Sequence, residues 1–101
     1  MSTAVKEKNS QYFINLEEKH GAHNYHPLPI VLTQGKGSKV WDKEGKEYLD
    51  FLSCYSALNF GHQHPKVVET LKSQVDKLAV CSRAFYSEEL CHFVEELCKF
   101  C

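Results

Sequence analysis

The chain has 101 residues, of which 43% are hydrophobic and 25% are charged, enough for one small domain of ordinary globular composition. Its formal net charge of −1 provides no electrostatic attraction to nucleic acid or to an anionic membrane. The apolar stretches are short and interrupted by charge, which excludes a transmembrane helix. We therefore expect neither nucleic acid nor a membrane as a partner.

The beginning of the chain resembles no targeting signal. Residues 1–8 lack the apolar stretch of a secretory signal, and they contain acid but no arginine, which is untypical of a transit peptide. We expect a cytoplasmic location, and a mitochondrial one only if a transit peptide is missing from this sequence. An odd number of cysteines without a secretion signal predicts reduced thiols. The five cysteines are Cys54, Cys81, Cys91, Cys98 and Cys101.

The first predicted element is a short helix over residues 11–19. Ser10 is typical of a helix N-cap, and Gly21 is typical of a residue that ends a helix. The apolar residues recur at helical spacing and share one face; they are Tyr12, Phe13 and Leu16. Residues 22–29 contain two prolines, and each disfavours helix at the residue before it, so this segment is predicted to be extended.

A three-stranded antiparallel meander is predicted next. The strands are expected at residues 30–33, 39–41 and 46–52. Residues 35–38 (GKGS) have the composition of a turn. Residues 42–45 (DKEG) predict a hairpin loop in which Gly45 adopts a positive φ.

Two helices complete the predicted order. Pro65 suits the first turn of one helix, where its missing N–H costs no hydrogen bond, and it follows a loop over residues 53–64. The other helix is predicted to begin near Ser87, with two acidic residues in the first turn, where the dipole favours them. The first helix has an amphipathic stripe at helical spacing, Val68, Leu71, Val75 and Leu78. In the second helix, Leu90, Phe93, Val94 and Leu97 are expected to form the buried face. No strand follows residue 52 to cover these stripes, so the pattern predicts a piece of a larger protein.

Four stretches of the chain resemble class III pyridoxal-phosphate aminotransferases, and their ornithine branch in particular. These stretches are residues 21–29 (GAHNYHPLP), 35–53 (GKG, then VWD, EGK and YLDFLS), 55–65 (YSA, then N, GH and HP) and 81–86 (CSRAFY). The resemblance implies fold type I, a homodimer whose large α/β domain surrounds a mainly parallel sheet. The chain would be an α+β fragment of that fold. Residues 1–53 would belong to the small domain, and residues 54–101 would supply the substrate-channel loop and first helices of the large domain.

The resemblance also implies a reaction. The δ-amino group of ornithine would pass to 2-oxoglutarate through pyridoxal 5'-phosphate, giving glutamate semialdehyde and glutamate. Tyr25 matches the family tyrosine whose hydroxyl helps to hold the α-amino end of ornithine. Tyr55 matches the tyrosine that shapes the substrate channel and helps to select ω-amino substrates. A phenol suits both roles, because its ring is a rigid apolar wall and its hydroxyl gives a directional hydrogen bond.

The chain departs from the family pattern beside Tyr55. Cys54 stands where a small serine or alanine is usual, and Phe60 stands where glutamine is usual. In this family the Schiff-base lysine, the carboxylate that faces the pyridine nitrogen and the phosphate-binding donors all lie beyond residue 101. The lysines here include Lys36, Lys72 and Lys99, and none has the sequence context of the family's lysine. No catalytic or cofactor-binding residue is therefore assigned, and this chain alone is predicted to be inactive.

Three short motifs also permit other interpretations. Gly35-x-Gly37 could cradle a phosphate, but no helix follows it, and a tight turn is favoured. His62-x-His64 could bind a metal, but no third ligand is evident, and a structural role is favoured. Cys98-x-x-Cys101 resembles a redox pair, but it lies where the helix dipole opposes a thiolate. Two other functions stay open: a short non-catalytic product that pairs with full-length aminotransferase subunits, and a small metal or redox protein.

Overall fold

The computed structural model describes residues 8–101, and the first seven residues lie outside this range. The elements are α1 (Ser10–His20), β1 (Leu32–Lys36), β2 (Lys39–Asp42), β3 (Glu47–Leu49), α2 (Pro65–Val75) and α3 (Glu88–Phe100). The predicted order of one helix, three antiparallel strands and two helices is confirmed. The chain divides between His64 and Pro65 into two compact units, which are described separately. The domain boundary predicted after residue 53 concerns the complete enzyme and stays a prediction.

Helix α1 begins one residue earlier than predicted, and Asn9 rather than Ser10 is its N-cap. The Asn9 side chain accepts a hydrogen bond from the Tyr12 N–H. Ser10 instead joins the helix to the hairpin, because its N–H and hydroxyl both donate to the Glu44 carboxylate, at 2.7 and 2.5 Å. These bonds, the hydroxyl first, hold the pKa of Glu44 below its usual value. Gly21 ends the helix as predicted, in an extended conformation.

The sheet has the order β1-β2-β3, and β1 lies later in the chain than predicted. Gly35 and Lys36 belong to the strand, and the turn contracts to Gly37 and Ser38, because Gly37 with a φ of +58° reverses the chain in two residues. A β-bulge lies between Leu32 and Gln34 in β1. The hydroxyl of Thr33 at this bulge donates to the Asp42 carbonyl oxygen, at 3.2 Å.

The core of the first unit is small and centres on β2. Val40 is 6% exposed, and Asp42, two residues later on the same strand, is 8% exposed. The Asp42 carboxylate accepts hydrogen bonds from the Tyr48 hydroxyl and the N–H groups of Glu44 and Lys46, at 2.7, 3.0 and 2.8 Å. The Tyr48 hydroxyl is the main cause that lowers the pKa of Asp42. Every oxygen of this buried acid is therefore satisfied, and the hairpin loop is tied to β3.

Strand β3 is much shorter than the predicted span of residues 46–52. The structure ends it at Leu49, because the carboxylate of Asp50 accepts from the N–H groups of Leu52 and Ser53, at 3.1 and 2.9 Å, and starts a turn. The hairpin loop before β3 agrees with the prediction, and Gly45 has a φ of +84°.

The second unit contains α2 and α3. Pro65 begins α2 as predicted, and Ser87 caps α3 by accepting from the Leu90 N–H. The prediction that the α3 stripe is buried is wrong for this chain: Phe93 is 62% exposed, and the residues that follow it on the stripe are also exposed. Within the second unit, two helices alone provide no sheet for the stripes to pack against. No helix in the described part of the chain is long and apolar enough to cross a membrane.

Candidate functional site

Residues 50–64, here called the Tyr55 loop, contain an unusual left-handed turn. Ser53, Cys54, Tyr55 and Ser56 have φ values of 48°, 48°, 54° and 73° in succession, and none of them is glycine. Each such residue costs about 1–2 kcal/mol relative to a right-handed conformation. Backbone strain of this kind persists where surrounding contacts hold it, and it is enriched at functional sites.

Asp50 anchors the beginning of the Tyr55 loop. One carboxylate oxygen accepts from the N–H groups that enter the left-handed turn, and the other accepts from Nε2 of His62 at 2.7 Å. Both side chains are largely shielded from solvent. The Ser53 N–H, followed by the His62 ring, lowers the pKa of the Asp50 carboxyl, so Asp50 is a carboxylate at neutral pH.

The other end of the Tyr55 loop packs on the first hairpin, which is formed by β1 and β2. The backbone of His62 pairs with Gly37 through two hydrogen bonds of 2.8 and 2.9 Å. A Cβ at Gly35 would lie 2.7 Å from the His62 ring, and a Cβ at Gly61 would lie 3.0 Å from Gly37. Three glycines thus allow the loop and the hairpin to approach each other closely.

This packing decides what Gly35-x-Gly37 can hold. The N–H of Gly37 donates to the His62 carbonyl, and the His62 ring covers Gly35. The motif is therefore filled by the chain itself, and it does not fit the phosphate of pyridoxal 5'-phosphate.

Tyr55 lies on the left-handed turn with its side chain 84% exposed. Within residues 8–101, its hydroxyl makes no hydrogen bond, while its N–H donates to the Leu52 carbonyl at 2.9 Å. The Tyr55 backbone is therefore fixed by a hydrogen bond, while its phenol points into solvent without a hydrogen-bond partner in the described residues. This combination suits a residue that presents a ring to a small molecule.

Tyr25 lies in the extended segment after α1 and is 81% exposed. The ring nitrogen of His23 contacts the Glu18 carbonyl oxygen at 2.7 Å and ties this segment back to the helix. A cavity of about 320 Å³ lies between α1 and residues 26–31, the segment directly after Tyr25. Its apolar lining comes from Phe13, Ile14, Pro27, Leu28, Pro29, Ile30 and Val31.

The structure does not bring the two tyrosines into contact. Among residues 8–101, ring contacts join Tyr12 to Phe13 and Phe60 to His64. Both tyrosines belong to the first unit, but no hydrogen bond or ring contact links them in the described part of the chain. Their predicted roles in substrate binding stay predictions.

The residues that depart from the family pattern both face solvent. Phe60 packs its edge against His64, with ring centroids 6.2 Å apart, and Cys54 is exposed within the left-handed turn. His64 has a buried Nδ1 without a hydrogen-bond partner in the described structure. His62 is engaged by Asp50, and residues 8–101 contain no group of three side chains able to hold a metal ion.

Sequence reasoning missed Asp50, and it considered His62 only within the His62-x-His64 motif and not as the partner of Asp50. The sequence contains both partners, but they are twelve residues apart: the aspartate follows the last residue of β3, and the histidine follows Gly61. Gly61, Gly35 and Gly37 were the remaining clue, since glycines on two segments permit close approach of backbones.

Comparison with known proteins identifies the family. The family model described as aminotransferase class-III matches residues 20–101. Mitochondrial ornithine aminotransferase of Rattus norvegicus is 54% identical over 91 residues, which cover 90% of this chain and 21% of that protein. The chain therefore spans about a fifth of the length of the curated relatives it matches.

Solved structures agree in fold. Acetylornithine aminotransferase from Elizabethkingia anophelis has a TM-score of 0.89 and 61% identity, over 92% of this chain and 24% of that one. Ornithine aminotransferase from Toxoplasma gondii, described with partial occupancy of pyridoxal phosphate at its active site, has a TM-score of 0.81 and 38% identity, over 92% and 22%. The resemblance of the four sequence stretches is thus confirmed, and the chain belongs to the class-III aminotransferase family.

Proposed function

We propose that this chain is the N-terminal part of an ornithine aminotransferase. The complete enzyme would transfer the δ-amino group of ornithine to 2-oxoglutarate, giving glutamate semialdehyde and glutamate. The observation that carries the proposal is the identity of 54% to a protein named ornithine aminotransferase over nine-tenths of this chain. The exposed phenol of Tyr25 supports it, because the stretch of residues 21–29 resembles the ornithine branch in particular.

The two tyrosines would bind and orient the substrate. The Tyr25 hydroxyl would accept a hydrogen bond from the α-ammonium group of ornithine, and the Tyr55 ring would form one wall of the substrate channel. Holding ornithine at its α end leaves the δ-amine as the end presented for reaction. A rigid ring on a held backbone loses little entropy when the substrate binds.

Pyridoxal 5'-phosphate is proposed as the cofactor of the complete enzyme and not of this chain. The lysines considered from the sequence are all engaged or exposed on regular elements: Lys36 lies on β1, Lys72 on α2 and Lys99 on α3. Lys99 pairs with Glu96 at 2.6 Å and with Glu95 at 3.6 Å on the surface of α3. We further propose that the complete enzyme is a cytoplasmic homodimer.

A hybrid enzyme tests the proposed function. In this hybrid, the region of the rat enzyme that aligns with our chain is replaced by the residues of our chain. We expect the hybrid to bind pyridoxal phosphate and to convert ornithine and 2-oxoglutarate to glutamate, measured by a coupled glutamate assay. The rat enzyme with the same region deleted is the matched control and is expected to be inactive.

The same assay decides between two substrates. One relative of this chain is named for acetylornithine, which has no free α-amino group. We propose ornithine, because the Tyr25 hydroxyl can bind a free α-ammonium group. A folded hybrid, with bound cofactor, that used N-acetylornithine in preference to ornithine would contradict this choice.

The isolated chain is expected to show no absorbance of bound pyridoxal phosphate and no transamination. The reason is that the family's Schiff-base lysine, pyridine-facing carboxylate and phosphate-binding donors would lie beyond residue 101, while Gly35-x-Gly37 is occupied by His62. The measurement is a visible absorption spectrum after incubation with the cofactor, followed by dialysis. A band that ornithine bleaches would contradict the prediction.

The hybrid also tests the glycines beneath the Tyr55 loop. Gly61→Ala is expected to lower the apparent melting temperature more than Gly45→Ala does. Both glycines have a positive φ, +80° and +84°, so each substitution costs about 1–2 kcal/mol of backbone strain. A Cβ at Gly61 would in addition lie 3.0 Å from the Gly37 backbone, whereas a Cβ at Gly45 has nothing within 4 Å. Equal shifts would show that the close approach of loop and hairpin is absent in solution.

A second function is supported by the exposed apolar stripes of the second unit. Phe93, Val94 and Leu97 present one apolar face of α3 to solvent. Large exposed apolar patches mark surfaces that other proteins cover. We propose, as the alternative, that the 101-residue chain pairs with full-length aminotransferase subunits as an interaction module. Co-purification of the tagged chain with the rat enzyme is the expected result, and its absence would remove this alternative.

A further inference from the structure

We propose that Asp50 and His62 are positioning residues that set substrate selection by holding the left-handed turn that carries Tyr55. The inference rests on the proposed function and concerns the same site. It assigns a role to a hydrogen-bonded pair that does not itself touch the substrate.

The first step is that the turn is costly by itself. Four consecutive residues, Ser53–Ser56, are left-handed without a glycine among them. Three local backbone hydrogen bonds support the turn: the N–H groups of Tyr55, Ala57 and Leu58 donate to the carbonyls of Leu52, Cys54 and Ser53, at 2.9, 3.2 and 3.0 Å. Contacts from outside the turn must therefore help to hold it.

The second step is that Asp50 supplies these contacts at the entry of the turn. Its Oδ1 accepts from the N–H groups of both Leu52 and Ser53, so the carboxylate fixes the backbone three and two residues before Tyr55. Its own N–H donates to the Ser38 carbonyl at 2.8 Å, which ties it to the first hairpin. A carboxylate that accepts backbone N–H groups forms stronger hydrogen bonds than a neutral acceptor.

The third step is that His62 fixes the carboxylate itself. Nε2 of His62 donates to Asp50 Oδ2 at 2.7 Å. The His62 backbone is hydrogen-bonded to both the N–H and the carbonyl of Gly37. The ring also lies against Gly35, where an added Cβ would come within 2.7 Å of it. The hydrogen bond between Asp50 and His62 thus joins the beginning of the Tyr55 loop to a residue near its end, and Tyr55 lies between them.

The consequence is a defined direction for the Tyr55 phenol, although the phenol itself has no partner in the described structure. A change at His62 would move Tyr55 without touching the substrate. Small displacements of a positioning group are enough to change the rate with one substrate and not with another.

The test measures the ratio of kcat/KM for ornithine to kcat/KM for 4-aminobutyrate, in the hybrid enzyme. His62→Leu removes the N–H donor, and we expect the ratio to fall about fivefold to tenfold, mainly through a higher KM for ornithine. His62→Gln keeps a donor at a similar reach, and we expect it to restore most of the ratio. Lys39→Gln is the matched control: it breaks the Lys39–Glu47 ion pair of 2.7 Å on the same sheet, and the ratio should not change.

A double variant separates positioning from general stability. In a Tyr55→Ile background, which lacks both the ring and the hydroxyl, His62→Leu is expected to cause no further fall of the ratio, because both changes act through the Tyr55 side chain. An additive effect, or a His62→Leu enzyme with bound cofactor and an unchanged ratio, would overturn the proposal. If the His62→Leu enzyme does not fold, His62→Asn replaces it. The asparagine amide is one bond too short to reach Asp50, so the substrate ratio of His62→Asn must fall below that of His62→Gln. Equal ratios for these two variants would overturn the proposal.

The failure of this inference is distinct from the failure of the proposed function. A hybrid with unchanged residues that does not convert ornithine contradicts the proposed function. A hybrid that converts ornithine, but whose selection ignores His62, contradicts the positioning role alone.

Discussion

Tyr55→Ile in the hybrid enzyme is expected to lower kcat/KM for ornithine by about a hundredfold, which makes it the largest effect that we predict. The substitution removes both the hydroxyl and the flat ring, and isoleucine cannot fill the same wall of the channel. Tyr55 is 84% exposed and its backbone is already held, so its loss removes a surface that faces outwards rather than part of the core of the unit. The measurement is steady-state kinetics with ornithine and with 4-aminobutyrate.

Two controls give this result its meaning. Tyr55→Phe keeps the ring and loses the hydroxyl, so it divides the effect between the wall and the hydrogen bond. Phe51→Ile changes another exposed aromatic residue of the same loop, to which no role is assigned, and should leave the substrate ratio unchanged. Equal loss for both substrates after Tyr55→Ile would contradict a role in selection.

The elements that the sequence predicts well are those whose signals are local. Ser87 caps α3 and Pro65 begins α2, because an N-cap hydroxyl and a proline at the first turn satisfy requirements of the helix end alone. The hairpin at Gly45 follows the same rule. At α1 the local signal was ambiguous, since Asn9 and Ser10 are both good caps. The Glu44 carboxylate, distant in sequence, takes Ser10 and leaves the cap to Asn9.

The Tyr55 loop could not be predicted because its determinants are not local. Nothing in the residues Ser53–Ser56 indicates a left-handed turn, which normally calls for glycine or asparagine. Its cause is Asp50, whose carboxylate ends β3 early, together with His62 and the glycines of the first hairpin. Likewise, the stripe of α3 was predicted as buried from its periodicity, but periodicity gives the face of a helix and not what covers it.

Tyr25→Phe is expected to raise the KM for ornithine about tenfold while kcat changes little, which is the second of the two largest effects. A hydrogen bond from a charged ammonium group to a phenol oxygen is worth about 1.5–3 kcal/mol, and the lower end of that range corresponds to roughly tenfold. The ring is retained, so the segment between α1 and the prolines should keep its conformation. The link from the His23 ring to the Glu18 carbonyl, at 2.7 Å, is untouched by the change.

N-acetylornithine is the substrate that separates the hydroxyl from the rest of Tyr25. Its α-nitrogen is an uncharged amide, so it cannot form the charge-assisted hydrogen bond that the free amine forms. We therefore expect Tyr25→Phe to leave the KM for N-acetylornithine unchanged, and Tyr25→Leu, which also removes the ring, to raise it. If Tyr25→Phe affected both substrates equally, the phenol would act as a wall and the α-amino group of ornithine would be bound elsewhere. The ratio of the two KM values thus tests the hydroxyl directly, whatever the absolute activity of the hybrid.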